Sequence, residues 1–272
     1  MKNEYKFIEQ IITNNHGKCY LVGGYVRDLL LNINNNDYDI ATNLDPTIIQ
    51  KIFKNYILSD YAIKYGNIII TINNIRFEIT TFRKESNAIN RNCIVSFTQD
   101  IIVDSNRRDF TINAIYYDFN KFYDFHDGIK DLNNSIIKTI VDPHISFKQD
   151  PLRMLRAIRF MATYNFKLDH KTRDALVNNC YLLINLNKDT LYKELKKFIV
   201  SKYFKDIFNE FVFLFNSFYP ELYTIKLDEP LEYDYKKRII QLYDYFNLNI
   251  DSKIINDFTQ IKKIIINHKK DD

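Results

Sequence analysis

Cysteine is scarce in this chain: three residues in 272, Cys19, Cys93 and Cys180, far apart and odd in number. No pair has the spacing of metal ligands, and they do not make a disulfide framework. The sequence therefore predicts reduced, partly buried thiols in a reducing compartment. No run of about 18 apolar residues occurs, which excludes a helix crossing a bilayer. The opening residues, Met1-Lys2-Asn3-Glu4-Tyr5-Lys6, are too polar for a secretory signal. The expected location is the cytoplasm, or an organelle in a eukaryotic source, and no membrane partner is expected. Glycine and proline number only five each, and there is no internal repeat or long linker. Neither sign of charge dominates: the net charge of +4 permits a polyanionic partner without requiring one.

What is plentiful is Asn, Ile, Lys and Tyr, a bias expected of an AT-rich coding sequence, so a surface Lys or Asn carries little functional weight. With 46% hydrophobic and 26% charged residues, the chain has an ordinary globular balance. It is long enough to bury a core without disulfides or structural metal.

The texture changes near residue 140. Before it, short β-rich runs stand at Lys18–Val22, Tyr38–Ala41, Asn67–Ile72, Arg76–Thr81 and Ala114–Phe119. Short helical patterns separate them, Tyr25–Leu31 after Gly23-Gly24 and Thr47–Lys54 after Asp45-Pro46, a pair that reads as N-cap and N1. After it, helical periodicity takes over. A helix opened by Asp150-Pro151 runs to Tyr164, and others are expected at His170–Asn185, Thr190–Val200, Phe204–Phe218, Tyr233–Phe246 and Ile254–His268. The fold class is α+β: a small mixed sheet with helices, followed by an all-helical half.

Five groups of residues carry chemistry. In Leu21-Val22-Gly23-Gly24-Tyr25-Val26-Arg27-Asp28 a strand meets two glycines and a helix starts at once. That exposes backbone N–H groups where phosphate binds, lets the backbone approach a ligand closely, and adds the Arg27 fork. A Gly-Gly pair alone is equally a tight turn. In Asp37-Tyr38-Asp39 the two acids share one strand face. They repel unless a cation lies between them, and Mg²⁺ favours carboxylates together with substrate phosphates. Two such ions about 3.5–4 Å apart activate an attacking hydroxyl and steady a leaving pyrophosphate. Glu78, in Arg76-Phe77-Glu78-Ile79, sits on a strand that can pair beside the Asp strand and bring a third acid. Arg107-Arg108-Asp109-Phe110-Thr111-Ile112-Asn113 offers triphosphate and sugar-hydroxyl contacts, or simply a charged helix start. In Asp150-Pro151-Leu152-Arg153-Met154-Leu155-Arg156-Ala157-Ile158-Arg159 the arginines recur every third residue as a slowly winding ridge. Asp150 and Arg153, one turn apart, can together read a base edge. Asp150 is also a good N-cap, and its two oxygens allow both roles.

In order and spacing these motifs resemble the class II tRNA nucleotidyltransferase and bacterial poly(A) polymerase family. Asp124-Phe125-His126-Asp127-Gly128-Ile129-Lys130-Asp131-Leu132 resembles that family's hinge motif, and the likeness covers about residues 18–200. It implies a polymerase-β-like nucleotidyltransferase head over 1–138, a base-reading helical neck over 139–200, and a reduced helical body and tail over 201–272 that binds tRNA. It implies Mg²⁺ at Asp37 and Asp39, beside which the strand reading sets Glu78 as a third catalytic acid. Nucleotide binding falls to Gly23, Gly24, Arg27, Arg108, Asp109 and Asn113 in the head, and to Asp150, Arg153, Arg156 and Arg159 in the neck. Asp150 and Arg153 would act as a protein template for C and A.

Ile63-Lys64-Tyr65-Gly66-Asn67-Ile68, followed by Glu78-Ile79-Thr80-Thr81-Phe82-Arg83, looks like the CCA-adding branch, and the basic segment marking the poly(A) polymerases is missing. The implied activity is template-independent addition of C, C and A to the tRNA 3′ end from CTP and ATP, releasing pyrophosphate. A CC-adding or A-adding specialist, a poly(A) polymerase, and a non-catalytic RNA-binding protein are the alternatives. Gln149 stands where an acid is usual, and Thr190 where an Arg is expected, although Glu194 remains. Asn92 stands where a Pro is typical, within Lys84–Asn106, the counterpart of the loop that switches the family from C to A.

Overall fold

The computed structural model describes residues 2–215 and, beyond them, 226–227, 231, 238 and 241–242. The helix expected at Ile254–His268 lies outside the described residues, as do most of the one expected at Tyr233–Phe246 and most of 201–272. The chain divides into two compact units, Met1–Asp142 and Pro143–Asp272.

The first unit opens with α1 (Lys2–Asn14), whose Tyr5, Ile8 and Ile12 recur at helical spacing and are fully buried. Each contributes roughly 1.5–3 kcal/mol by leaving water. Next come β1 (Cys19–Val22), α2 (Gly24–Leu30), β2 (Tyr38–Thr42), α3 (Pro46–Ile52), β3 (Ile57–Ser59), β4 (Asn67–Ile72) and β5 (Ile75–Thr81). Two further strands, β6 (Arg83–Ile89) and β7 (Asn92–Phe97), precede α4 (Ile101–Asn106), β8 (Ile115–Tyr117), β9 (Phe122–Asp124) and α5 (Gly128–Asn133). Seven strands form one sheet in the order β3-β4-β5-β2-β1-β8-β9, and only the β2/β5 pair is parallel. The α+β class, with a mixed sheet and helices in the first unit, is therefore present. Asp45 caps α3 by accepting the Thr47 N–H at 2.9 Å, with Pro46 as its first residue.

Turn chemistry sets the register. Between β4 and β5, Asn73 and Asn74 have φ of 49° and 63°, a two-residue turn of the type that matches strand twist. Asn90 and Arg91, with φ of 48° and 70°, do the same between β6 and β7. The segment Lys84–Asn106, expected as a loop, is thus largely a two-stranded ribbon followed by α4.

Among its described residues the second unit is helical apart from turns and a two-residue strand at Lys167–Leu168. It contains α6 (Pro143–Gln149), α7 (Leu152–Tyr164), α8 (His170–Asn179), α9 (Lys188–Ile199) and α10 (Phe204–Phe211). Met154, Leu155, Ala157, Ile158, Phe160, Met161 and Ala162 bury one broad side of α7. Asp169 and Asn187 cap α8 and α9; Asn187 accepts the Thr190 N–H at 2.8 Å.

Candidate active site

At the end of β1 the chain turns on Gly23, whose φ of 74° and ψ of −138° lie outside the range of L-residues with a side chain. A Cβ here would stand 3.1 Å from Asp39 Oδ2. Gly23 is needed twice over, for backbone conformation and for the close approach of that carboxylate. We expect Gly23→Ala to cost about 1–3 kcal/mol in backbone strain, seen as a thermal midpoint lowered by several degrees; an unchanged midpoint would contradict it.

The β1/β2 register sets Val22 opposite Asp39, and the parallel β2/β5 register sets Asp39 opposite Glu78. Asp37 lies one residue before β2 and is exposed. Burial, then the neighbouring Glu78 carboxylate and Asp37, push the Asp39 carboxyl up to about 6, against the pull of Arg108 and Arg76. The three acids expected from the sequence therefore act on one another. Asn67 on β4 donates to Glu78 Oε1, and Arg76 lies 3.5 Å from Oε2. Among the described residues no three His, Cys, Asp or Glu side chains form a ready-made metal cage. Hard oxygen donors whose negative charge the nearby arginines only partly offset fit a divalent cation of the kind that completes its shell with substrate phosphates.

Arg27, expected to face phosphate, is buried inside a polar network. Its Nε donates to Asp28 Oδ1 at 2.9 Å and its Nη1 to Asn113 Oδ1 at 2.7 Å. Asn113 donates to Asp109 Oδ1 at 3.0 Å, and Asn35 donates to Asp28 Oδ2 at 2.5 Å. Gly24 opens α2 beside this network: a Cβ on it would stand 3.6 Å from Arg27 Nη2 and from Asn35 Nδ2. Arg27, Asp109 and Asn113 are thus brought together, with Arg27 as the strut.

The Arg107-Arg108 pair stands at the C-terminal end of α4 and not at a helix start, the end where a helix favours cations. Both reach back to Asp104, which is fully buried. Arg107 Nε donates to Asp104 Oδ1 at 2.8 Å, and Arg108 Nη2 donates to Oδ2 at 3.0 Å. The Tyr116 hydroxyl donates to Oδ2 at 2.7 Å and accepts from Arg108 Nε at 3.0 Å. Burial alone raises the Asp104 carboxyl; Arg108 and Arg107 outweigh it and bring it to about 2.

In the second unit Asp150 Oδ1 accepts the Leu152 N–H at 3.0 Å, so the expected capping bond is made. Arg153 is buried and donates to Ser146 Oγ at 2.8 Å. Arg156 and Arg159 both lie against the Phe160 ring, 5.4 Å and 4.1 Å from its centroid, and Arg159 pairs with Glu194. The arginine ridge is therefore packed against protein over much of its length.

Asp104, Tyr116 and Ser146 were not singled out in the sequence, and Asn67 stood there only as part of the motif at 63–68. Asp104 had a signal, three and four residues before Arg107 and Arg108, the spacing of helical ion pairs. The contact of Asn67 with Glu78 had none, because cross-strand register sets it.

Residues 19–138 match the poly(A) polymerase head domain. A CCA-adding enzyme of Staphylococcus epidermidis is 35% identical over 234 residues, 82% of this chain and 58% of the relative. One from Staphylococcus haemolyticus is 33% identical over 278 residues, 97% of this chain and 69% of the relative. Among solved structures, the CCA-adding enzyme of Bacillus stearothermophilus in complex with CTP superposes with a TM-score of 0.69 at 31% identity, covering 75% of this chain and 50% of that one. The chain spans about half the length of several of the relatives it matches, 58%, 46% and 54% in three of them. The head match, the motif order and the long alignment to S. haemolyticus agree: this chain belongs to the CCA-adding enzyme family.

Proposed function

We propose that this chain adds C, C and A to the 3′ end of tRNA from CTP and ATP without a nucleic-acid template, and releases pyrophosphate. The observation that carries this reading is the Asp39 carboxylate. It is pressed against the Gly23 turn, set opposite Glu78, and pushed up to about 6 by burial and by its acidic neighbours. That arrangement costs stability and is explained by a bound cation. Asp37 and Asp39 would hold Mg²⁺, which when bound neutralises phosphate charge and lowers the barrier to phosphoryl transfer.

The protein's own groups supply positioning. The Gly23-Gly24 turn and Arg108 receive the triphosphate. Arg27 holds Asn113, and Asn113 with Asp109 addresses the sugar hydroxyls. Glu78, fixed by Asn67, adds negative charge beside Asp39. The tRNA 3′-hydroxyl then attacks the α-phosphate in line. Residues 1–138 carry this chemistry. Residues 139–200 read the base through Asp150 and Arg153, supported by Arg156 and Arg159, and residues 201–272 bind tRNA. Transfer of labelled CMP from CTP to tRNA ending at its discriminator base, lost with EDTA and restored by Mg²⁺, tests the reading. Transfer that persists in EDTA would sink it.

Base choice gives a separate prediction. Uracil and guanine present a carbonyl where cytosine and adenine present an amine, and a carbonyl facing the Asp150 carboxylate leaves two acceptors opposed. A buried unpaired polar group costs about 1–3 kcal/mol, so UTP and GTP are rejected. Asp150→Ser keeps a capping oxygen but no charge. We expect it to relax CTP-over-UTP selectivity about tenfold or more in single-nucleotide incorporation. Full selectivity in that variant would reduce Asp150 to a cap.

A further inference from the structure

We propose that Asp104 is a positioning residue that aims Arg108 at the nucleotide triphosphate, an inference that rests on the assignment of Arg108 to triphosphate binding. Asp104 divides its two oxygens between two sets of donors. Oδ1 takes the Arg83 backbone N–H at 3.1 Å, at the root of the β6/β7 ribbon, together with Arg107 Nε at 2.8 Å. Oδ2 takes Arg108 Nη2 and the Tyr116 hydroxyl. Tyr116 also accepts Arg108 Nε, and the guanidinium lies 5.0 Å from the centre of the Tyr116 ring.

Two of the three Arg108 nitrogens are thus held by one carboxylate–phenol clamp. No described residue accepts a hydrogen bond from the third, Nη1. A fork fixed along one edge presents its other edge in one orientation, the condition for directional phosphate binding. The β1 register sets Val22 opposite both Tyr116 and Asp39, so the clamp that holds Arg108 stands in the same sheet as the acid, with β1 between them. Asp104 therefore fixes the direction of a charge whose target lies beside Asp39. A purely structural ion pair has no need of the phenol bridge, which adds direction without charge.

The test is a cycle of Asp104→Asn, Arg108→Ala and the double variant. Equilibrium dialysis gives the Kd for CTP, and steady-state incorporation gives KM for CTP and for tRNA. We expect Asp104→Asn to raise Kd and KM for CTP about tenfold, to leave KM for tRNA unchanged, and to add nothing once Arg108 is Ala. A Kd equal to wild type, a matching rise in KM for tRNA, or an effect that multiplies that of Arg108→Ala would overturn the proposal. Should Asp104→Asn fail to fold, Tyr116→Phe in the same cycle decides it on the same outcomes. Wild-type protein that incorporates no nucleotide, yet binds CTP more tightly than Asp104→Asn, would sink the function and leave this inference standing.

Discussion

Asp39→Ala abolishes nucleotide incorporation and leaves the fold at least as stable as wild type. The activity loss is expected to be at least about 10²-fold, the scale for removing a preorganised charge stabiliser. The stability half follows from the raised carboxyl. The folded state holds the Asp39 proton up to about pH 6, whereas an unfolded Asp releases it near 3.9. Between those values the native state binds more protons than the unfolded state, so stability falls as pH rises and stays reduced above pH 6. Without the carboxyl that slope disappears. Thermal midpoints between pH 4 and 7, taken in EDTA, should fall for wild type and fall less for the variant. Retention of more than a tenth of wild-type incorporation would remove Asp39 from the catalytic set.

Asp104→Ala has the opposite profile, with a large loss of stability. Removing one partner of a buried ionic cluster costs about 3–5 kcal/mol, because the remaining charges stay buried with less compensation, although Arg107 keeps Glu85 at 3.7 Å. Here Arg107 and Arg108 both lose their principal acceptor. The Asp104 carboxyl is depressed to about 2, so its contribution is fully present above about pH 4 and is lost as pH falls towards 2. Urea unfolding at pH 7 should show the full deficit, and the gap between wild type and variant should narrow in acid. A deficit below about 1 kcal/mol at pH 7, the scale of a surface pair, would mean that solvent or other groups already screen the arginines.

These two acids show how much the sequence discloses. Asp39 was legible because strand periodicity and the glycine turn upstream are local signals, and β1, β2, β4 and β5 lie where their patterns placed them. Asp104 was only half legible: its spacing to Arg107 and Arg108 signals helical ion pairs, but its importance comes from complete burial beside two cations, which only the folded chain creates. Arg27 is a related case. Its place after Gly23-Gly24 pointed to phosphate, yet packing turned the side chain inward to Asp28 and Asn113. The β6/β7 ribbon escaped notice because its turn is Asn90-Arg91, without the glycine that usually marks such turns. α1 went unread for another reason: its polar opening hid the Tyr5, Ile8 and Ile12 stripe. The capping roles of Asp45 and Asp150 were visible in full, because each depends only on the residues that follow.

Membership in the CCA-adding family leaves this chain's own chemistry to be measured: whether it adds nucleotides, which ones, and in what order. The direct measurement is the length and composition of product made from tRNA ending at its discriminator base, with CTP alone, ATP alone and both together. The account predicts addition of two C with CTP alone, none with ATP alone, and C, C, A with both. Extension by ATP alone into a homopolymer, arrest after C, C with both nucleotides present, or no extension at all would contradict it.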